Sequence, residues 1–151
     1  MREFKNITEI LDFAIGEEQS AVDFYLLLAA QSKSAETKKV FYEFAEEEMR
    51  HKANLTKLKE DGTLRLSDEK VSDLKITEYL VDVKPSPNMA YPEALILAMK
   101  KEKAAFRMYT VLADQTDNAE VKQLMQSLAM EESRHKLRFE LEYDDVVFKE
   151  N

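Results

Sequence analysis

The 151-residue sequence contains no cysteine, only two glycines and three prolines. It has no apolar run approaching the ~20 residues that a membrane-spanning helix requires. Without cysteine there is no disulfide framework, no thiolate zinc site and no protein-ligated iron-sulfur centre, so any metal must be held by Glu, Asp or His. The scarcity of glycine and proline removes the punctuation that a fold of many short strands and turns needs. The amino terminus, Met-Arg-Glu-Phe-Lys-Asn, lacks an apolar stretch followed by small residues and does not read as a signal peptide. A cytoplasmic protein with no membrane association is therefore expected. There is no excess of positive charge either. With 22 basic against 30 acidic residues the net charge is -8, and the basic residues are scattered rather than striped, which argues against nucleic acid as a partner.

What the chain does have is 44% hydrophobic and 34% charged residues, a balance suited to long amphipathic helices. Its length fits a single domain spanning residues 1–151. An internal repeat sets the organisation, because residues 9–52 match residues 93–136 in one register without a gap. Leu11 pairs with Leu95, Glu18 with Glu102, Tyr25 with Tyr109 and Leu28 with Leu112. The run Glu47, Glu48, Arg50, His51, Lys52 pairs with Glu131, Glu132, Arg134, His135, Lys136. Each half divides into two helices. Asn6 with Glu9 forms a capping-box start, Ser34 caps the second helix and Asp61-Gly62 stops it. Pro92 suits the first turn of the third helix, and Asp117 with Glu120 begins the fourth. The fourth helix is expected to leave only Asp144 to Asn151 beyond it. Short joins make each pair an antiparallel hairpin, whereas the connection over residues 62–91 is long enough to travel back along a helix. The spacing predicts an all-α antiparallel four-helix bundle of two repeated hairpins joined by one crossover. Ser67-Asp68-Glu69 starts a short helix within that crossover, whose Val71, Leu74, Ile76, Leu80 and Val81 are expected to cover the bundle.

Polar residues interrupt the core seams. Leu11, Ala14, Glu18, Ala21, Tyr25 and Leu28 recur at spacings of three and four, the pattern that faces partner helices, and Glu18 stands inside it. The second helix reads Phe41, Phe44, Glu48, His51, Leu55, Leu58; the third reads Leu95, Ala98, Glu102, Ala105, Tyr109, Leu112. In the fourth, Val121, Met125, Leu128, Glu132, His135 and Phe139 follow the same rhythm. Counted from the hairpin bends, all four glutamates stand at one height. Buried unpaired carboxylates are costly and four together repel, so something must supply positive charge. Two divalent cations neutralise four carboxylates, and six ligands suffice if two carboxylates serve both metals. Oxygen and imidazole donors without sulfur suit iron or manganese, and zinc also binds such sets.

These residues resemble the ferritin-like di-iron carboxylate proteins, most closely the rubrerythrin branch, in which two helices each give a Glu and two each give a Glu-x-x-His. The resemblance implies two iron ions cycling between Fe2+ and Fe3+, with Glu18 and Glu102 as terminal ligands, Glu48 and Glu132 bridging, and His51 and His135 on one metal each. It further implies an oxidoreductase that reduces hydrogen peroxide or dioxygen, of peroxidase or ferroxidase type; a non-catalytic metal-binding or iron-handling protein is the alternative. Rubrerythrins usually carry a rubredoxin-like domain with four cysteines, so a chain without cysteine needs an external electron donor. They also carry an extra Glu about a turn past the third-helix ligand, where Ala105 stands here, mirroring Ala21. Cage-forming ferritins add a fifth helix, for which too little chain is expected to remain, so a homodimer is expected rather than a shell. Tyr25 and Tyr109, two turns past Glu18 and Glu102, are placed to donate to a ligand carboxylate of a neighbouring helix. Glu47 and Glu131 are expected to lie on a solvated face, with support of a far imidazole nitrogen as the alternative.

Overall fold

The computed structural model describes residues 3–150, and these form helices and loops with no strand. In chain order the helices are α1 (Ile7–Gln31), α2 (Ala35–Asp61), the short α3 (Asp68–Leu74), α4 (Tyr91–Gln115) and α5 (Ala119–Glu150). A single 3-10 turn, Ile76–Tyr79, follows α3. The architecture is the all-α bundle that the periodicity predicts.

Local chemistry fixes most of the ends. The Asn6 side chain accepts the Glu9 backbone N–H at 2.9 Å, while the Glu9 carboxylate accepts from Lys5 rather than from Asn6. Ser34 accepts from Thr37 N–H, and α2 stops at Gly62, which adopts the left-handed conformation (φ 64°) that a residue without Cβ enters at little cost. Pro92 lies in the first turn of α4, where its missing N–H costs nothing. Two expectations need correction. The cap of α5 is Asn118, whose side chain accepts from the N–H groups of Glu120 and Val121, and not Asp117. Nor does α5 stop near residue 143; with no glycine or proline after Asn118 to break it, the helix runs to Glu150 and absorbs the segment that was to follow it.

The hairpins α1–α2 and α4–α5 are each closely packed, and they face one another across a wider gap filled by large side chains. Two apolar cores result, one at each end. Ile10, Leu11, Leu55, Leu58, Leu112, Met125 and Leu128 make the first, capped by Val71 and Ile76 of the crossover. Tyr25, Leu28, Phe41, Phe44, Leu95 and Phe139 make the second. Membership shows the helix directions: the start of α1 shares an end with the finish of α4, and the start of α2 with the finish of α5, so α1 opposes α4 and α2 opposes α5. Between the two cores lies a polar layer.

Phe139 is fully buried, with its ring 5.1 to 5.6 Å from those of Tyr25, Phe41 and Phe44. Phe139→Ala is expected to cost about 3–5 kcal/mol of unfolding free energy. Urea denaturation of chelator-treated protein measures this loss, and a midpoint unchanged from the parent would contradict the assignment of the second core.

Candidate metal centre

The polar layer is built from the seam positions. Four consecutive seam turns on α2 and α5 are apolar, Glu, His, apolar, so each Glu-x-x-His carries both side chains inward one turn apart. α1 and α4 contribute one Glu each. Glu18, Glu48, His51, Glu102, Glu132 and His135 are all at most 2% exposed, a degree of burial that ionisable groups rarely reach without a partner. Their ligating atoms fall into two overlapping groups: Glu18, Glu48, His51 and Glu132, and Glu48, Glu102, Glu132 and His135, each with its atoms within 4.8 Å of one another. Glu48 and Glu132 belong to both groups.

His51 Nδ1 stands 3.2 Å from Glu132 Oε1, 3.4 Å from Glu48 Oε1 and 3.5 Å from Glu18 Oε2. His135 Nδ1 stands 3.1 Å from Glu48 Oε1, 3.8 Å from Glu132 Oε1 and 3.9 Å from Glu102 Oε1. These distances are short, yet Glu18 Oε2, Glu48 Oε1, His51 Nδ1, Glu102 Oε2, Glu132 Oε1 and His135 Nδ1 are all buried without a hydrogen bond of acceptable geometry. One atom of each of the six side chains is thus orphaned, and the orphans converge. Donor atoms about 2 Å from a common cation at near-right angles stand roughly 3 Å apart and do not point at one another, which is the arrangement seen. The donor set therefore fits a pair of metal ions.

The outward ring nitrogens are held across the bundle. Glu131 on α5 accepts from Nε2–H of His51 on α2 at 2.7 Å, and Glu47 on α2 accepts from Nε2–H of His135 on α5. A proton on Nε2 leaves the Nδ1 lone pair directed inward, the tautomer that a metal ligand requires. Glu47 and Glu131 thus do not lie on a merely solvated face, as their position suggested. Each serves the histidine of the opposite helix rather than the one four residues on. Arg134 braces both, with Nη2 at 3.2 Å from Glu47 and 3.8 Å from Glu131. The Tyr109 hydroxyl donates to Glu18 Oε1 at 2.5 Å, leaving Oε2 free of hydrogen bonds in the cluster. Its repeat partner Tyr25 behaves differently. Its buried ring meets the edge of His135 at 6.2 Å, and no hydrogen bond to Glu102 accompanies it among the described residues. Phe44 stacks on His135 with ring centroids 4.0 Å apart, a contact that the sequence offers no means of singling out.

In the absence of cations the cluster redistributes protons. Burial, then the charges of Glu132 and Glu18, raises Glu48 well above the usual carboxylate range, and burial followed by Glu132 does the same to Glu102. Burial alone would lower His51, but the close carboxylates of Glu132 and Glu18 outweigh it and push the imidazole up to about 11. Burial shifts Glu132 up, but its contacts with His51, Glu48 and His135 together outweigh that, so it ends below its ordinary value. Glu48, Glu102 and His51 thus hold protons where a metal would otherwise supply the charge.

Ala21 and Ala105 are the only members of the four seams that are not buried, because the small side chain one turn past each outer Glu leaves room. A cavity fills that room between α1 and α4, with Glu18, Glu48, Glu102 and Glu132 on its inner side and Leu80, Val81 and Pro85 of the crossover across its top. The crossover therefore roofs the site as well as covering the bundle. Counted as space for the centres of water-sized molecules, the cavity holds about 50 Å³. Glu17, Ser20, Phe24, Val81, Pro85 and Lys101 line both it and a wider surface depression outside, which makes them its mouth. Neither histidine lines it, so access to the cluster is from the carboxylate side.

No protein of curated function matches the chain. A solved structure of a hypothetical protein from Pyrococcus furiosus is similar, with a TM-score of 0.69 at 27% identity, over 92% of this chain and 89% of that one. The family model for rubrerythrin matches residues 9–143, which takes in both hairpins, the crossover and all six converging side chains. That span, together with an all-α bundle whose buried Glu and His cluster is compatible with a di-iron site, establishes that this chain belongs to the rubrerythrin family.

Proposed function

We propose that the protein is a di-iron carboxylate oxidoreductase that reduces hydrogen peroxide or dioxygen, as a peroxidase or a ferroxidase. The observation that carries this reading is the convergence of six buried donor atoms, none with a hydrogen bond, in a layer whose four carboxylates line the inner side of a small cavity. Glu18 and His51 would hold one ion, Glu102 and His135 the other, with Glu48 and Glu132 shared between them. A bound ferrous pair supplies one electron from each metal, so a two-electron acceptor is reduced without release of a radical.

The chain's own residues set the conditions. Glu47 and Glu131 keep the imidazoles oriented and in one tautomer, Tyr109 confines Glu18 to a single free oxygen, and the apolar walls exclude bulk water. The cavity volume bears on the substrate. About 50 Å³ admits a few water-sized molecules, since one water needs on the order of 10–15 Å³ by this measure. Peroxide and dioxygen fit, whereas an organic molecule of ordinary metabolite size does not. Electrons would come from an external donor, as the 151 residues contain no thiolate for a second redox metal. A cytoplasmic location belongs to the same reading, with the absence of cysteine suiting a reducing compartment.

Anaerobically loaded protein is expected to bind two ferrous ions per chain and to be oxidised by peroxide or dioxygen faster than free ferrous ion, followed by stopped-flow absorbance. Binding without acceleration would place the protein with iron-handling proteins rather than enzymes. Glu48→Ala with Glu132→Ala is expected to abolish both the metal content and the accelerated phase.

Tyr109→Phe removes one hydroxyl and no ligand. Loss of such a support typically lowers metal affinity by about 10- to 100-fold, measurable by competition with a coloured chelator. Equal affinity in parent and variant would remove Tyr109 from the centre's support.

The protonation pattern gives a pH dependence. Glu48 and Glu102, with ordinary values of 4.5, and His51, with 6.5, all bind protons more tightly in the folded metal-free chain. Each contributes stability that is lost as pH rises from its unfolded towards its folded value. The down-shifted Glu47 and Glu132 oppose this only in acid, near and below 4.5. Metal-free protein should therefore melt at a lower temperature as pH rises from about 6.5 to about 8. Bound cations displace the same protons, so the gap in melting temperature between metal-loaded and chelator-treated protein should widen over this range. A gap that narrows would count against the cluster as the metal site.

A further inference from the structure

The repeat makes the two halves of the cage look alike in sequence, yet the structure makes them unequal. On one half, the Tyr109 hydroxyl donates to Glu18 Oε1 at 2.5 Å, while Glu18 Oε2 stands 3.5 Å from His51 Nδ1. On the other, Glu102 has no such donor among the described residues: its Oε2 is buried without a hydrogen bond, and its Oε1 stands 3.9 Å from His135 Nδ1. The difference follows from what surrounds each tyrosine. Tyr25 packs against aromatic rings, 5.1 Å from Phe139 and 6.4 Å from Phe44, and lies at 89° to the ring of His135. The repeat mates of Phe139 and Phe44 are Leu55 and Leu128, which share the core of Tyr109. Aromatic pairs prefer tilted and edge-on geometries, so neighbouring rings fix the tilt of Tyr25, whereas aliphatic neighbours leave Tyr109 to be oriented by its hydroxyl.

We propose that the two metal positions are unequal in strength: the one made by Glu18 and His51 fills first and empties last, and Glu102 is the carboxylate that gives way. This inference rests on the paired-ion reading above. A ligand carboxylate bonded through its second oxygen is held in the orientation that a metal needs before the metal arrives, and loss of such support typically lowers affinity by about 10- to 100-fold. Glu18 has that support and Glu102 lacks it. The imidazoles do not offset the difference, because His51 and His135 each give Nε2–H to a carboxylate of the opposite helix and are oriented alike. Glu48 and Glu132 belong to both groups of donors and favour neither. Space points the same way. Glu102 lines the cavity beside Ala105, and no tyrosine hydroxyl ties its carboxylate against rotation into that room; Glu18 lines the same cavity but stays bonded to Tyr109. Release of Glu102 vacates a donor position on the accessible side of the cluster, so the weaker half is also the half that an incoming small molecule meets.

Anaerobic titration of the chelator-treated full chain with cobalt(II), followed by calorimetry and visible absorbance, tests this. The parent is expected to bind in two steps of one ion each, with dissociation constants at least about tenfold apart. Glu102→Ala is expected to keep the tight step and lose the weak one, and Glu18→Ala to lose the tight step. Tyr109→Phe should close the gap by weakening the tight step, and Tyr25→Phe should leave the gap as it is, both with unchanged helical circular dichroism. Release to a coloured chelator should run in two phases in the parent and merge into one in Tyr109→Phe. Two equal steps in the parent, loss of the tight ion in Glu102→Ala, or a gap narrowed as much by Tyr25→Phe as by Tyr109→Phe would overturn the inequality and leave the paired-ion reading standing. A parent that binds fewer than two ions would overturn both.

Discussion

The bundle carries four carboxylates and two imidazoles in a buried layer between two apolar cores, and most of the structure follows from what that layer requires. Charge of one sign in such a place costs several kcal/mol per group unless it is neutralised, and the remedies are protons or cations. The metal-free arrangement uses protons, which Glu48, Glu102 and His51 hold more tightly than free side chains do. It still leaves one atom on each of six side chains without a hydrogen bond. A core assembled only for stability would hold apolar side chains at those seam positions, as it does at the positions on either side. The layer is thus a standing cost to the apo fold, offset by the two apolar cores that close it from both ends.

How much of this the sequence discloses depends on the range over which each contact is decided. Helix limits are local matters, and Asn6, Ser34, Gly62 and Pro92 mark them through hydrogen bonds or dihedral preferences within a few residues. The level at which Glu18, Glu48, Glu102 and Glu132 stand is also legible, because rise per residue and hairpin length determine it. Contacts that depend on how one helix is rotated against another are not. Period and spacing place Glu47 four residues before His51, but only the packing of α2 on α5 decides that Glu47 reaches His135 instead. The difference between Tyr109, bonded to Glu18, and Tyr25, set edge-on to His135, is equally invisible in a repeat that makes the two look alike. Asn118 displaces Asp117 as a cap by a single residue, a margin that sequence signals do not resolve.

The cavity is the least predictable feature because no one element makes it. It needs the gap between hairpins, the small Ala21 and Ala105, and three crossover residues arriving overhead from the end of a long connection. One of those small side chains, Ala105, stands where the resemblance implies an extra carboxylate. Space stands where a fifth carboxylate would, and the result is a site with fewer charges and more room on its accessible side. Specificity for small oxidants would then come from volume and dryness rather than from a hydrogen-bonding pocket.

Each hairpin carries one outer Glu and one Glu-x-x-His, which amounts to half of the ligand set. Two unlinked copies of such a hairpin could in principle enclose the same six donors, but only at concentrations that favour their meeting. Residues 62–90 tether the halves, making closure of the cage independent of dilution. The tether has a second effect. Because it passes over one side only, it gives an otherwise two-fold symmetric cage a front and a back, and so allows the six donors to be approached from a single direction.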